Sequence, residues 1–214
     1  MSQIFVFGAS IAYGVGAEKS GWADLLKQSL HAKMYGDDGV GEEYELYNFS
    51  QPGAQVEFVI ATYVDQLRFY RRSGKVIALV ETGGNNTKAI DNPTNYVSSL
   101  EEYEQLMRHL LTKLQKDVDE LIVLPSLPPV DESKTNPDSN PLTGEHSYFT
   151  NDRIIMFNHT LMKLCDELGI TYIDIDISPE EWVKNCQYKD GLHPNQAGHQ
   201  YIFEKVSKVV EGLL

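Results

Sequence analysis

The chain is poor in three things, and each shortage removes a class of protein. Cysteine occurs only as Cys165 and Cys186, too few for a disulfide framework, and neither stands at metal-ligand spacing. No apolar stretch approaches the length of about 20 residues that spans a bilayer, so membrane insertion is not expected. Basic residues are scarce: 18 Lys and Arg face 31 Asp and Glu, a formal net charge of −13. That field repels a phosphate backbone, and no Lys/Arg stripe offsets it, so nucleic acid is not an expected partner. Anionic membrane surfaces are disfavoured for the same reason. A neutral or cationic small molecule is the easier guest. Met1-Ser2-Gln3 leads directly into an apolar run, without the basic segment and apolar core of a secretory signal. The expected location is therefore cytoplasmic.

What is present is an ordinary globular composition, 214 residues with 42% hydrophobic and 23% charged, enough to bury a sizeable core. Short β-branched or aromatic runs recur at 3–7, 45–48, 75–81, 120–124 and 171–175. Helical stripes lie between them. Leu25, Leu26 and Leu30 mark the first, and Val56, Val59, Ile60, Val64 and Leu67 the second. Leu100, Tyr103, Met107, Leu110, Leu111 and Leu114 form a third, and Ile154, Phe157, Leu161, Cys165 and Leu168 a fourth. Ile202, Val206, Val209, Val210 and Leu213 close the chain. Strands alternating with helices predict an α/β fold with a five-stranded parallel sheet covered on both faces. Neither repeats nor low-complexity tracts interrupt it, so a single domain over 1–214 is expected. The one irregular stretch is 125–152, rich in Pro, Asn, Ser and Asp; loops of that length usually carry function or stay disordered.

Four short motifs carry the chemistry. Gly8-Ala9-Ser10 follows the first apolar run, Asn48-Phe49-Ser50-Gln51-Pro52-Gly53 the second, and Gly83-Gly84-Asn85-Asn86 the third. Asp190-Gly191-Leu192-His193-Pro194 is expected to open the last helix. A hydroxyl, a close-approaching backbone amide, a carboxamide, and a carboxylate with an imidazole are the parts needed to attack a carbonyl and hold the resulting oxyanion. In an open parallel sheet, ligands bind beyond the carboxyl ends of the strands. Ser10, Gly53 and Asn85 each follow a strand by a few residues, so the fold gathers them on one edge.

Each residue also has a plainer reading. Ser10 suits a helix N-cap, and His193 suits the start of a helix begun by Pro194. Pro52-Gly53 is a turn signal. Asn85 suits a left-handed turn position, with Asn86 leaving a one-residue ambiguity. As chemistry, Ser10 is the nucleophile and His193 the general base, with Asp190 fixing the imidazole tautomer across one turn. The Ser10 and Gly53 amides and the Asn85 side chain form the oxyanion hole.

The ordered set resembles the SGNH (GDSL-type) hydrolases, named for Ser, Gly, Asn and His in four blocks, here Ser10, Gly53, Asn85 and His193 with Asp190 three residues earlier. The likeness runs from residue 4 to about 203. It implies a flavodoxin-like three-layer α/β/α fold and hydrolysis of esters, thioesters or acyl groups on sugars and lipids. Two positions depart from the family pattern. Ala9 stands where Gly-Asp-Ser is usual, and Asn86 where Gly-x-Asn-Asp is usual; neither position performs chemistry in the family.

The remaining candidates point elsewhere. His31, His109, His146, His159 and His199 lack an acidic residue three positions upstream. Gly14-Val15-Gly16 lacks the order of a phosphate-binding loop. The Gly-x-Ser-x-Gly elbow fails at Ala12. Tyr13, Trp22 and Tyr148 are candidates to shape a pocket, although buried aromatics usually only pack. The expectation is a serine esterase without cofactor or metal, cleaving short-chain acyl or acetyl esters of a small molecule or carbohydrate. A lysophospholipase or thioesterase of the same mechanism is one alternative; a catalytically idle binding module is another.

Overall fold

The computed structural model describes residues 1–36, 41–139 and 144–214. Strand β1 (Ser2–Gly8) is buried along its whole length, as a parallel strand covered on both faces must be. Side chains alternate along it: Ile4 and Val6 enter one core, Phe5 and Phe7 the other. The chain continues through α1 (Ser10–Tyr13) and α2 (Trp22–Tyr35) into β2 (Tyr44–Asn48), then through α3 (Val56–Tyr70) into β3 (Lys75–Glu81). The short α4 (Gly84–Thr87) and β4 (Ala89–Ile90) precede α5 (Leu100–Asp117) and β5 (Glu120–Val123). A reciprocal capping box between Ser99 and Glu102 fixes the start of α5. Next come α6 (Glu132–Thr135), β6 (Asp138–Ser139), β7 (His146–Tyr148), α7 (Asn151–Leu168), β8 (Thr171–Tyr172), α8 (Pro179–Asn185) and α9 (Gln196–Glu211).

Five strands make one parallel sheet in the order β2-β1-β3-β5-β8. On one face, Trp22, Leu26 and Leu30 of α2 and Ile202, Val206 and Val210 of α9 pack on Ile4, Val6, Ile77 and Leu79. On the other, Val59 and Tyr63 of α3, Met107 and Leu110 of α5, and Phe157 and Leu161 of α7 pack on Phe5, Phe7, Ala78 and Val80. Burying a large apolar side chain contributes about 1.5–3 kcal/mol, so these two layers dominate the fold. One expected core residue is misplaced in the sequence reading: Val64 is 54% exposed. The buried stripe of α3 runs Val56, Val59, Tyr63, Leu67, and at about 100° per residue Val64 turns out of it.

The strand order reverses at β1, which pairs β2 on one side and β3 on the other. Loops diverge at such a reversal and leave a crevice beyond the carboxyl ends. Gly8 and Glu81 are register partners at that end, and Ser10 and Asn85 follow shortly after. The irregular stretch 125–152 holds α6, β6 and β7; β7 pairs with β4 and β6 in a small antiparallel sheet. Its residues 140–143 lie outside the described residues.

Candidate active site

Ser10 begins α1 immediately beyond β1. Its Oγ lies 2.9 Å from Nε2 of His193, and Nδ1 of the same ring lies 2.8 Å from Oδ2 of Asp190. With Nδ1–H donating to the carboxylate, Nε2 is free to accept the serine proton. Asp190 builds its own turn. Its Oδ1 accepts the backbone N–H groups of Leu192 and His193 at 2.9 and 3.0 Å, and Tyr188 N–H donates to the His193 carbonyl at 2.8 Å. Burial works against ionisation of Asp190, but the His193 ring and these two amides hold its carboxyl below the usual range. The segment does not open the last helix as expected. Helix α9 begins at Gln196, with Asn195 Oδ1 capping it by accepting from Gly198 N–H at 3.0 Å. Asn195 out-competes Pro194 because a side-chain oxygen satisfies a first-turn amide, which Pro cannot do. Gly16 lets the Gly14–Gly16 loop pack on this turn: a Cβ there would lie 2.2 Å from the Pro194 carbonyl oxygen.

Gly53 adopts φ +81° with open space where a Cβ would project, so backbone conformation, not crowding, selects glycine there. Its loop is tied to β1 by Gln51 N–H donating to the Gly8 carbonyl at 3.1 Å. Asn85 Nδ2 donates to the neighbouring Ala54 carbonyl at 2.9 Å. A carboxamide has two N–H donors, so one remains. The paired asparagines differ in placement. Asn85 lines a small cavity together with Ser10. Asn86 is 0% exposed; its Oδ1 accepts from Val56 N–H at 3.1 Å and its Nδ2 donates to Glu57 and Ser98, each at 3.1 Å.

The family model described as GDSL-like lipase/acylhydrolase matches residues 4–206. The chain belongs to this family. It is a carboxylic ester hydrolase with the family's parallel-sheet fold. The GDSL esterase/lipase CPRD49 of Arabidopsis thaliana is 27% identical over 221 residues, spanning 98% of this chain and 78% of that protein. Among solved structures, a lipase/acylhydrolase from Enterococcus faecalis superimposes with a TM-score of 0.74 at 17% identity, covering 100% of this chain and 97% of that one. Axe2, an acetylxylan esterase from Geobacillus stearothermophilus, gives 0.67 at 17% identity, covering 96% and 92%. Among the described residues, no helix is long and apolar enough to cross a membrane.

In this GDSL-type hydrolase the cavity beside Ser10 is also walled by Leu192 of the last motif and by Glu81, Ser126, Leu127 and Phe149, which lie outside the four motifs. Ser126 and Leu127 are held by Asn158 of α7, which accepts from Ser126 N–H at 2.8 Å and donates to the Leu127 carbonyl at 2.7 Å. The signal for Glu81 was available: a carboxylate follows the five apolar residues Val76–Val80 without a break. Trp22, a candidate pocket residue, is 0% exposed and packs in the core under α2 and α9. Phe149, next in the chain to Tyr148, lines the cavity instead.

Proposed function

We propose that the protein hydrolyses short-chain carboxylic esters of a small molecule or carbohydrate through an acyl-enzyme on Ser10. The carrying observation is the unbroken chain from Ser10 Oγ to His193 to Asp190, with steps of 2.9 and 2.8 Å. Ser10 Oγ adds to the ester carbonyl carbon while Nε2 of His193 takes the hydroxyl proton, and the carbonyl π electrons move to oxygen. The amides of Ser10 and Gly53 and the second Nδ2 proton of Asn85 hold that oxyanion. Collapse expels the alcohol, which leaves with the proton from Nε2. Water, deprotonated by the same imidazole, then releases the acid and restores Ser10. Asp190 keeps Nδ1 protonated and stabilises the imidazolium formed in each half-reaction.

The short-acyl preference is supported by the tight space at Ser10, bordered by the apolar side chains of Leu127, Phe149 and Leu192. An idle binding module would have no reason to keep hydroxyl, imidazole and carboxylate in one hydrogen-bonded line. Two measurements test the reading. A fluorophosphonate is expected to label Ser10, with labelling abolished in Ser10→Ala and sharply reduced in His193→Ala; undiminished labelling of Ser10→Ala removes the assignment. Across p-nitrophenyl esters, acetyl to butyryl are expected to turn over fastest, and faster cleavage of palmitoyl than of acetyl would favour a lipid substrate instead.

A further inference from the structure

The nucleophile sits on a helix of only four residues. The first-turn amides of a helix have no partner within it, so something outside must orient α1. Position 9, where the family usually carries Asp, is Ala9 and is buried, so the motif itself supplies no side-chain acceptor there. The acceptors come from the end of β3. Ala9 N–H donates to the Glu81 main-chain carbonyl at 3.1 Å, and Ala12 N–H donates to Glu81 Oε2 at 2.8 Å.

We propose that Glu81 is the positioning residue for the nucleophile, accepting one backbone N–H on each side of Ser10 and so fixing the direction of its hydroxyl towards His193. This assignment rests on Ser10 being the nucleophile. Glu81 is 3% exposed and lines the Ser10 cavity, and its backbone is anchored at the end of β3 opposite Gly8. The carbonyl of the same residue is held too, since Ala12 O accepts from Asn48 Nδ2 at 2.8 Å. Burial pushes the Glu81 carboxyl well above its usual range, against the opposing pull of the Ala12 and Ala9 amides. The side-chain oxygen acts here as a hydrogen-bond acceptor, a role that a glutamine carbonyl reproduces in nearly the same shape.

The test compares Glu81→Gln, Glu81→Asp and Glu81→Leu for ester turnover, fluorophosphonate labelling rate and melting temperature, with Ser10→Ala alongside. Glu81→Gln is expected to stay within about threefold of the parent in kcat and labelling rate. Glu81→Leu, which removes the acceptor, is expected to lose about 10- to 100-fold in both while KM changes by less than about threefold. Glu81→Asp, one methylene short, is expected to behave like Glu81→Leu and serves in its place if Glu81→Leu does not fold. A folded Glu81→Leu or Glu81→Asp protein with parental kcat and labelling overturns the proposal. So does a Glu81→Gln protein as impaired as the others. If Ser10→Ala still labels, the nucleophile lies elsewhere and both readings fall; if Ser10→Ala is silent while Glu81→Leu and Glu81→Asp label normally, only the role of Glu81 falls.

Discussion

The turn around His193 draws most of its order from its immediate neighbours: Asp190 Oδ1 takes the amides of residues two and three positions ahead, and Tyr188 pairs with the His193 carbonyl, with one distant bond from Asp131 N–H to the Gly191 carbonyl. The turn carrying Ser10 is held from far away in the chain, Ala12 alone being bound to Glu81 and Asn48 at separations of 69 and 36 residues. The first arrangement is largely local, its bonds closing mainly within residues 188–193. The second exists only once β1, β2 and β3 lie side by side. The two halves of one hydrogen-bonded line therefore depend on different levels of structure, and substitutions should separate them.

The largest effect is expected from the self-built turn. Asp190→Asn retains an oxygen to accept the Leu192 and His193 amides, so the turn should survive. It presents an N–H to Nδ1, however, which reverses the imidazole tautomer. We expect kcat to fall by about 10³–10⁴-fold with the melting temperature nearly unchanged. A large drop in melting temperature accompanying a small drop in kcat would show that the turn depends on this carboxylate for folding rather than for chemistry.

The adjacent asparagines sharpen the contrast within one dipeptide. Asn85→Ala is expected to lower kcat by about 10²–10³-fold with KM little changed, since the donor matters mainly in the transition state. Asn86→Ala removes a buried acceptor and donor that join α3, α4 and the segment before α5. It should cost about 2–4 kcal/mol of stability with kcat largely preserved in the folded protein. Urea unfolding and steady-state kinetics on both variants distinguish these outcomes; a greater loss of kcat in Asn86→Ala would move the donor by one residue.

The smallest effect concerns a strut behind the Ser10 turn. His199 is buried; its Nε2–H donates to the Val15 carbonyl at 3.0 Å and its Nδ1 accepts from Trp22 N–H at 3.3 Å, which requires the neutral ring. Burial, against the Val15 bond, lowers its pKa below the ordinary 6.5. The neutral form is favoured by folding, so this contribution is full above the unfolded value and is lost as pH falls through the folded one. Melting temperature should therefore decline between about pH 7 and 5 in the parent more steeply than in His199→Gln. Parallel profiles would mean that His199 does not carry this pH dependence.

The amino-acid sequence by itself determined the parallel sheet and the helical stripes, because period-2 and period-3.6 hydrophobicity are local properties. It also determined the Asp190–His193 pair, which closes within one turn, and the family resemblance carried by Ser10, Gly53 and Asn85. It misjudged Val64, where a stripe one residue too wide includes a position turned out to solvent, and it placed the start of α9 too early, where Asn195 rather than Pro194 satisfies the first amides. Tertiary structure alone decided that Asn85 faces the cavity while Asn86 is buried in the scaffold. It alone brought Leu127 and Phe149 to the cavity at Ser10, and seated a buried carboxyl from β3 against the Ser10 turn. Hydrogen bonds and walls of that kind join residues distant in sequence, and their partners are fixed only when the strands take their order in the sheet.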